Sequence, residues 1–206
     1  MRCAIYGAGS LGTVLGAYMT KNGVDVELIN RNKAHVEALK AKGATVTGTM
    51  EFVQPVRAFT VDEFRADNVI YDIIFLMTKQ LDNKTVVTEL KEHLAPEGVI
   101  VTLQNGIPEL LIGDIVGPDR VLGCAVAWGA TMLGPGVCEL TSEPDSLSFS
   151  LGTISSSRSA RYDEVRELLR MMGTVEEESN FIGCRWSKLL INSAFSGMSA
   201  VLGCTF

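Results

Sequence analysis

The sequence predicts an α/β fold with a parallel sheet, followed by a helical segment. Strand and helix signals alternate along most of the 206 residues, which is typical of a parallel sheet covered by helices. Residues 72–77 and 99–103 are near-continuous apolar runs of the kind found in strands buried on both faces. From Phe181 onward the chain becomes apolar and helical in character. We therefore expect an α/β domain over residues 1–179 and the first helix of an incomplete all-α domain over residues 180–206.

Composition and charge exclude several classes of protein. The net charge is −6, the pI is near 5.0, and the chain has no Lys/Arg cluster, which argues against a nucleic-acid partner. No apolar stretch approaches the roughly 20 residues that cross a bilayer, and the N-terminus does not resemble a signal peptide. Five cysteines without metal-like spacing favour a reduced, cytoplasmic setting and predict no metal site. His35 and His93 lie in polar helical contexts and are predicted to be surface residues.

The first twelve residues carry a glycine motif at a predicted strand-to-helix junction. An apolar run leads into G-x-G-x-x-G, formed by Gly7, Ala8, Gly9, Ser10, Leu11 and Gly12. In a dinucleotide-binding βαβ unit the first glycine permits the tight turn, the second lets a pyrophosphate approach, and the third lets helix and strand pack closely. The phosphates then lie against the helix N-terminus. A purely structural turn is the alternative, but the flanking strand and helix favour a Rossmann-type NAD(P)-binding domain.

The end of the second predicted strand indicates which dinucleotide is bound. An NAD enzyme usually places Asp or Glu about twenty residues beyond the glycines, where the carboxylate binds the ribose 2′-hydroxyl. This chain has Asn30, Arg31, Asn32 and Lys33 instead, and its acidic residues fall earlier, inside the strand. Arg31 could pair with a 2′-phosphate. We therefore predict NADP(H), the alternative being that the basic residues are solvated loop charges.

The other elements follow from capping and turn signals. A helix is predicted over Lys33–Lys42, ended by Gly43, and a two-part β excursion around Gly48 follows it. Asp62 is predicted to cap a short helix. Later predicted elements are a helix over residues 81–94 stopped by Pro96 and Gly98, strands over 120–131 and 137–151 joined by a Gly-Pro-Gly turn, and a helix over 162–172. The hairpin spacing of the two strands suggests antiparallel strands added to the parallel set.

Residues 186–202 form a predicted helix that is apolar or small on almost every side. Such a helix has to be buried, so we expect partners from another chain or from residues beyond these 206; a homo-oligomer formed through this helix is one such arrangement. Lys188, Asn192 and Ser196 are spaced four residues apart and share one face. On spacing alone, Lys188 is interpreted as extending its amine to solvent; the alternative is a functional amine in a cleft.

Polar residues also follow two of the predicted buried strands. Asn105, flanked by Gln104 and Gly106, follows the strand that ends at Leu103, and Lys79 holds the equivalent place after the strand before it. Open α/β sheets bind ligands just outside such strand ends. Lys79 could therefore meet a cofactor phosphate or ribose, the alternative being a solvated lysine at the start of a helix.

Together these motifs carry a resemblance to a known family. The order GAGSLG, LMTKQ, VTLQNGIPE, a Gly-Pro-Gly hairpin and RWSKLLINSAFSGMSAVLG resembles ketopantoate reductase over essentially the whole chain. The resemblance implies NADPH-dependent reduction of 2-dehydropantoate, a 2-oxo acid, to pantoate, a step of pantothenate and coenzyme A biosynthesis. It implies that Lys188 is the general acid, that Asn105 and Asn192 bind substrate, and that Arg31 and Lys79 contact the cofactor. Asn105 lies where it could also meet the cofactor.

The chain departs from the family pattern at three places. Ser196 stands where many relatives have a second asparagine and is predicted to bind substrate, and Asp82 stands where many relatives have glutamine. The further helices that carry a serine and a glutamate of the family's substrate site have no counterpart here. The sequence is therefore also consistent with two other functions. One is an NADP-binding protein with little or no catalysis, and the other is a related dehydrogenase acting on another 2-oxo acid.

Overall fold

The computed structural model describes residues 1–157 and 159–204. Within them twelve strands are found, which we number along the chain as β1 (Cys3–Tyr6), β2 (Val26–Asn30), β3 (Ala44–Gly48), β4 (Phe52–Gln54), β5 (Arg57–Thr60), β6 (Tyr71–Leu76), β7 (Leu94–Thr102), β8 (Val121–Val126), β9 (Ala130–Gly134), β10 (Val137–Leu140), β11 (Ser148–Gly152) and β12 (Thr174–Glu177). Eight of them form one sheet and four form another.

The main sheet has the strand order β12-β11-β8-β7-β6-β1-β2-β5. The six strands from β5 to β8 are parallel, and their order by chain position is 3-2-1-4-5-6, the doubly wound order of dinucleotide-binding domains. The order reverses between β1 and β6, so a crevice opens at the carboxyl ends of these two strands. The predicted α/β fold with a Rossmann-type sheet is confirmed.

The helices are α1 (Ser10–Lys21), α2 (Lys33–Lys42), α3 (Val61–Ala66), α4 (Asn83–Glu92), α5 (Glu109–Val116), α6 (Tyr162–Arg170), α7 (Phe181–Asn192) and α8 (Met198–Leu202). The predicted bounds of α2 and its end at Gly43 are confirmed. The predicted cap of α3 is wrong. Thr60, and not Asp62, accepts from the Glu63 backbone N–H, and the Glu63 side chain accepts in return from the Thr60 N–H, which forms a capping box.

The second sheet, with the order β4-β3-β10-β9, changes the environment of α1. β9 and β10 form an antiparallel hairpin at the predicted Gly-Pro-Gly turn, and β10 pairs with β3 in this second sheet instead of joining the parallel set. Each of the two predicted strands is divided, the first into β8 and β9 and the second into β10 and β11. In the main sheet, the added antiparallel pair is β8 with β11. Because α1 lies between the main sheet and the second sheet, its residues 12–19 are all buried.

The C-terminal segment is attached to the main sheet by its first turns. The Phe181 ring occupies the space that side chains would fill at Gly123 of β8 and Gly152 of β11, which pair with each other. The predicted continuous helix is interrupted, since one π-helical turn over Ser193–Gly197 separates α7 from α8. The division at residue 179 remains a prediction, because α7 packs directly on the α/β sheet.

No helix in residues 1–157 and 159–204 is long and apolar enough to cross a membrane. All five cysteines are free thiols, and three of them, Cys3, Cys124 and Cys138, are buried.

Candidate functional site

A cleft of about 580 Å³ lies at the switch point between β1 and β6. Its lining includes Gly7 and Gly9 of the glycine motif together with two predicted cofactor residues, Arg31 and Lys79. The cleft therefore brings together residues from the carboxyl ends of β1, β2 and β6, which end at Tyr6, Asn30 and Leu76.

The three glycines of the motif have different surroundings, which match their predicted mechanical roles. Gly7 has φ +103°, and a methyl group on it would lie 2.6 Å from the Thr78 backbone nitrogen. A methyl group on Gly12 would lie 2.8 Å from the Gly7 carbonyl oxygen. Gly9 differs, because its nearest neighbour in that direction is the Gly7 oxygen at 3.9 Å. The space beside Gly9 is thus open toward the cleft.

Backbone hydrogen bonds fix the glycine loop and leave the start of α1 free for a ligand. The Gly7 and Ala8 amides both donate to the Ile29 carbonyl, at 3.0 and 2.9 Å, and the Gly9 amide donates to Gly7. The first-turn amides of a helix, here from Ser10 to Gly12, have no acceptor within the helix. These free amides and the open space beside Gly9 fit the pyrophosphate of a dinucleotide.

The end of β2 places no carboxylate toward the cleft. Glu27 is buried within the strand, where its carboxylate accepts from Arg2 and from the Tyr71 hydroxyl. Asp25 precedes the strand and pairs with Arg57. The predicted absence of an NAD-type acidic residue at the β2 end is therefore seen in the structure.

Arg31 is an exposed cation at the cleft rim, and an acidic group lies nearby. Among the described residues no salt bridge is formed by Arg31 or Lys79, whereas Arg65, also in the lining, donates two hydrogen bonds to Glu89. Asp62 lines the same cleft, 3.9 Å from the nearest nitrogens of Lys33 and Arg65. Of the lining cations, Arg31 and Lys79 are thus the two left available for an anionic ligand.

Amide side chains join the ends of β6 and β7. Gln104 and Asn83 exchange two hydrogen bonds, of 2.9 and 2.8 Å, and Gln104 also donates to the Thr78 carbonyl at 2.8 Å. Asn105 is exposed next to this buried pair, and its carbonyl accepts from the Gln80 side chain. The sequence identified Asn105 but not the Gln104–Asn83 pair that holds its strand end in place.

Lys188 is half-buried at the same edge of the sheet. Its Nζ donates to the carbonyl of Val126, the last residue of β8. The amine is therefore directed at a strand end, which does not match the interpretation of a lysine that extends to solvent. Burial lowers the pKa of Lys188, and the positive charge of Arg185 lowers this pKa further.

A buried ion pair that the sequence analysis missed anchors the helix that carries Lys188. Arg185 is 1% exposed and donates to the Glu109 carboxylate of α5, to the Gln104 carbonyl at 2.9 Å and to the Thr102 carbonyl at 3.1 Å. Burial raises the pKa of Glu109, and the Arg185 charge opposes that rise. Because Arg185 and Glu109 are 76 positions apart, no local pattern could have paired them.

The remaining predicted substrate residues lie away from the cleft. Asn192 is half-buried at the end of α7, and Ser196 is exposed in the π-helical turn. The structure brings Lys188 and Asn192 to one face of α7, and Ser196 lies beyond the end of α7 in the π-helical turn.

The predicted surface position of His35 is wrong. His35 is fully buried, because α2 is covered by the turn between β9 and β10 as well as by α1. His93 is half-buried at the end of α4, with its ring 4.2 Å from that of Phe64. In residues 1–157 and 159–204 no group of three His, Cys, Asp or Glu side chains is arranged to hold a metal ion.

Large apolar side chains beyond the anchored turns of α7 are exposed. Leu190 is 72% exposed, Phe195 55% and Val201 81%. Nothing in the described part of the chain covers this surface, as the sequence analysis expected for a helix that is apolar on most sides.

Comparison with known proteins gives a consistent result. Residues 3–153 match the family described as Ketopantoate reductase PanE/ApbA. The chain is 29% identical over 204 residues to the 2-dehydropantoate 2-reductase of Pyrococcus horikoshii and 32% identical over 202 residues to that of Archaeoglobus fulgidus. These alignments cover 98% and 97% of this chain. The chain spans about 64% of the length of each of these curated relatives.

Solved structures of the same fold are similarly related. The 2-dehydropantoate 2-reductase of Geobacter metallireducens superposes with a TM-score of 0.83 at 26% identity, over 98% of this chain and 66% of that one. A D-mandelate dehydrogenase in complex with NADH and anilino(oxo)acetate superposes with a TM-score of 0.85 at 23% identity, over 98% and 65%, which shows a shared fold. The family match covers well over half of the chain. The chain belongs to the ketopantoate reductase PanE/ApbA family.

Proposed function

We propose that this chain binds NADPH and reduces the ketone of 2-dehydropantoate to the alcohol of pantoate. The observation that carries the proposal is the pairing of two features on one edge of the main sheet. One is the cleft formed by the open glycine loop, Arg31 and Lys79. The other is the half-buried amine of Lys188 at the end of β8. β8 is two strands from β6, so at roughly 4.8 Å per strand these two strands are about 10 Å apart in the sheet.

In this proposal the protein contributes orientation and a proton. NADPH, when bound, supplies the hydride. Lys188 hydrogen-bonds the ketone oxygen through Nζ and transfers its proton as negative charge develops on that oxygen. The lowered pKa of Lys188 favours this transfer. In the absence of substrate the Val126 carbonyl holds the amine at the strand end.

The amide and hydroxyl side chains beside Lys188 are proposed to fix the substrate. Asn192 follows Lys188 by one helical turn, and Asn105 is exposed at the end of β7, next to the Gln104 carbonyl that accepts from Arg185. Both amide side chains can hydrogen-bond the hydroxyl and carbonyl oxygens of a small 2-oxo acid. Ser196, exposed in the π-helical turn that follows Asn192, is proposed as a further substrate contact.

Replacement of Lys188 tests the catalytic part of the proposal. General acid catalysis contributes about 10²–10⁴-fold, so Lys188→Ala should lose kcat for ketopantoate reduction on that scale while folding and NADPH binding persist. Lys188→Arg should rescue poorly, because a guanidinium keeps its proton near neutral pH. Lys91→Ala, at an exposed lysine of α4, is the matched control and should leave kcat unchanged. Near-normal kcat in folded Lys188→Ala would contradict the general-acid role.

One structural observation favours a second candidate function, NADPH binding with little turnover. The Asn192 side of the site has no opposing wall within the described residues, since the neighbouring α7–α8 surface is exposed. NADPH binding to the unmutated chain without reduction of ketopantoate or of other 2-oxo acids would support this second function. Reduction of a different 2-oxo acid would retain the reductase chemistry and change the substrate.

The exposed surface around Leu190 and Val201 is also proposed to drive self-association. Large exposed apolar patches mark interaction surfaces. Light scattering should therefore show species larger than a monomer, and Leu190→Lys should shift them toward the monomer. A clean monomer that binds no hydrophobic dye would contradict this expectation.

A further inference from the structure

His35 uses both of its ring nitrogens inside the protein. Nδ1 is 3.0 Å from the Gly136 backbone nitrogen, in the turn between β9 and β10. Nε2 is 3.1 Å from the hydroxyl oxygen of Thr13, on α1. The side chain has no solvent exposure. His35 therefore connects the second sheet to the helix that begins at the glycine loop.

The direction of each hydrogen bond follows from the backbone donor. Because the Gly136 N–H donates, Nδ1 must be the unprotonated nitrogen, and in the neutral ring the proton lies on Nε2. Nε2–H then donates to the Thr13 hydroxyl. The Thr13 hydroxyl in turn donates to the Ala8 carbonyl, at 3.1 Å. The result is a chain of hydrogen bonds with one donor direction, from Gly136 through His35 and Thr13 to the Ala8 carbonyl in the glycine loop. We call this hydrogen-bond chain the relay.

The same relay also fixes the segment that carries Arg31. Asn30 donates to the Ala8 carbonyl at 2.6 Å and accepts from the Asn32 amide at 2.8 Å. Asn32 accepts from the His35 backbone amide at 3.2 Å, which caps α2. The side chain before Arg31, Asn30, thus bonds the Ala8 carbonyl, and the side chain after it, Asn32, bonds the His35 backbone amide.

We propose that His35 and Thr13 are positioning residues for dinucleotide binding: their relay holds the Ala8 carbonyl, and through it the glycine loop, in the geometry that accepts a pyrophosphate. Neither residue lines the cleft, so both act through the loop. The inference deepens the proposed function and rests on the NADPH-binding part of it.

The surroundings of the ring keep the relay in its neutral form. Desolvation lowers the pKa of His35, opposed by hydrogen bonding to the Ala8 carbonyl. The neighbouring strand β10 carries two titratable residues, Cys138 and Glu139, which face opposite sides of the strand. Burial raises the pKa of the Cys138 thiol to about 11, so it carries no charge near neutral pH. Glu37 and Lys33 of α2 itself are exposed, with Glu37 3.8 Å from Lys40 and Lys33 3.9 Å from Asp62. A protonated ring would present a donor to the Gly136 N–H and break the relay.

A pair of substitutions at Thr13 separates the relay from packing. Thr13→Val keeps the shape and removes the hydroxyl, whereas Thr13→Ser keeps the hydroxyl and removes a methyl group. Loss of a net hydrogen-bond contribution predicts that Thr13→Val binds NADPH and NADH roughly three- to tenfold more weakly, by the same factor for both, as measured by calorimetric titration. Thr13→Ser should restore the affinities to near the unmutated values. Arg31→Ala is the contrasting variant, since it should weaken NADPH alone.

Amide exchange in the ligand-free chain provides a readout that does not depend on cofactor binding. The Gly7 and Ala8 amides, both bonded to Ile29, should exchange roughly three- to tenfold faster in Thr13→Val and at the unmutated rate in Thr13→Ser. Equal exchange in all three proteins, or faster exchange in Thr13→Ser than in Thr13→Val, would overturn the relay. Failure of the unmutated chain to bind NADPH would instead overturn the proposed function, and the exchange rates would still decide the relay.

Discussion

The cofactor cleft and the C-terminal helical segment both hold residues of the proposed site, but they are built differently. In the cleft, backbone hydrogen bonds between neighbouring strand ends hold the glycine loop. The Gly7 and Ala8 amides, for example, both donate to the Ile29 carbonyl. In the described part of the chain, the C-terminal segment is held by contacts of α7: the Phe181 ring, the Arg185 ion pair and the Lys188–Val126 hydrogen bond. Beyond them its apolar side chains are exposed.

This difference separates the two halves of the proposed site. The cleft depends on local backbone geometry and parallel strand pairing, and the residues that line it belong to the α/β sheet and its loops and helices. The position of Lys188 depends on a few long-range side-chain contacts of one helix. We therefore expect dinucleotide binding to tolerate changes in α7, and the chemistry at Lys188 to be sensitive to them.

The largest expected effect comes from breaking the Arg185–Glu109 pair. Arg185→Met leaves the Glu109 carboxylate buried without its partner, which should lower the free energy of unfolding by about 3–5 kcal/mol. Chemical denaturation monitored by circular dichroism measures this loss. Because neither Arg185 nor Glu109 lines the cleft, NADPH affinity measured well below the melting temperature should change little.

Two controls sharpen the Arg185 experiment. Arg170→Met removes a surface pair with Glu167, in which Arg170 is 47% exposed, and should cost at most about 1 kcal/mol. The double variant Arg185→Met with Glu109→Leu should recover part of the loss, because it leaves no buried charge unpaired. A loss below about 1 kcal/mol in Arg185→Met would refute the anchoring role.

Substitution at the glycines tests the cofactor cleft. Gly9→Val places a side chain in the open space beside the start of α1, so the chain should fold while its NADPH affinity falls by roughly tenfold or more. Gly7→Ala should instead reduce stability, because of the positive φ and the contact with Thr78. Thermal melts and titration distinguish the two outcomes. Unchanged NADPH affinity in folded Gly9→Val would mean that the pyrophosphate is bound elsewhere.

A smaller effect is expected from the titration of His35. Because its pKa is lowered in the folded chain, the unfolded chain binds more protons below the ordinary imidazole pKa of about 6.5. The stability is therefore fully present above about pH 6.5 and falls as the pH drops toward the folded-state pKa, by at most about 1.4 kcal/mol per pH unit. His35→Gln should flatten this slope. Identical slopes in the two proteins would show that His35 does not titrate differently on folding.

The sequence predicted best what local rules determine. The glycine loop, helix α2 with its end at Gly43, and the lack of an acidic residue after β2 follow from glycine conformations and strand–helix order. Arg31 and Lys79 reach the same cleft because parallel strands end at one edge of a sheet.

Other features could not be predicted because they depend on distant contacts. The polar sequence of α2 conceals that His35 faces the β9–β10 turn, which is about 100 residues later. The Arg185–Glu109 pair likewise has no local pattern. The cap at Thr60 is different, since Thr60 and Glu63 form a recognisable S/T-x-x-E signal that the analysis overlooked in favour of Asp62.

Titration of the unmutated chain with NADPH and NADH tests the central claim, that the cleft alone forms a complete NADPH site. A charge-assisted contact from Arg31 contributes about 1.5–3 kcal/mol, so NADPH should bind at one site per chain, roughly tenfold or more tightly than NADH, and Arg31→Ala should erode the difference. Equal affinity for the two dinucleotides would contradict the role of Arg31. No binding of either would contradict the claim that the described residues complete the cofactor site.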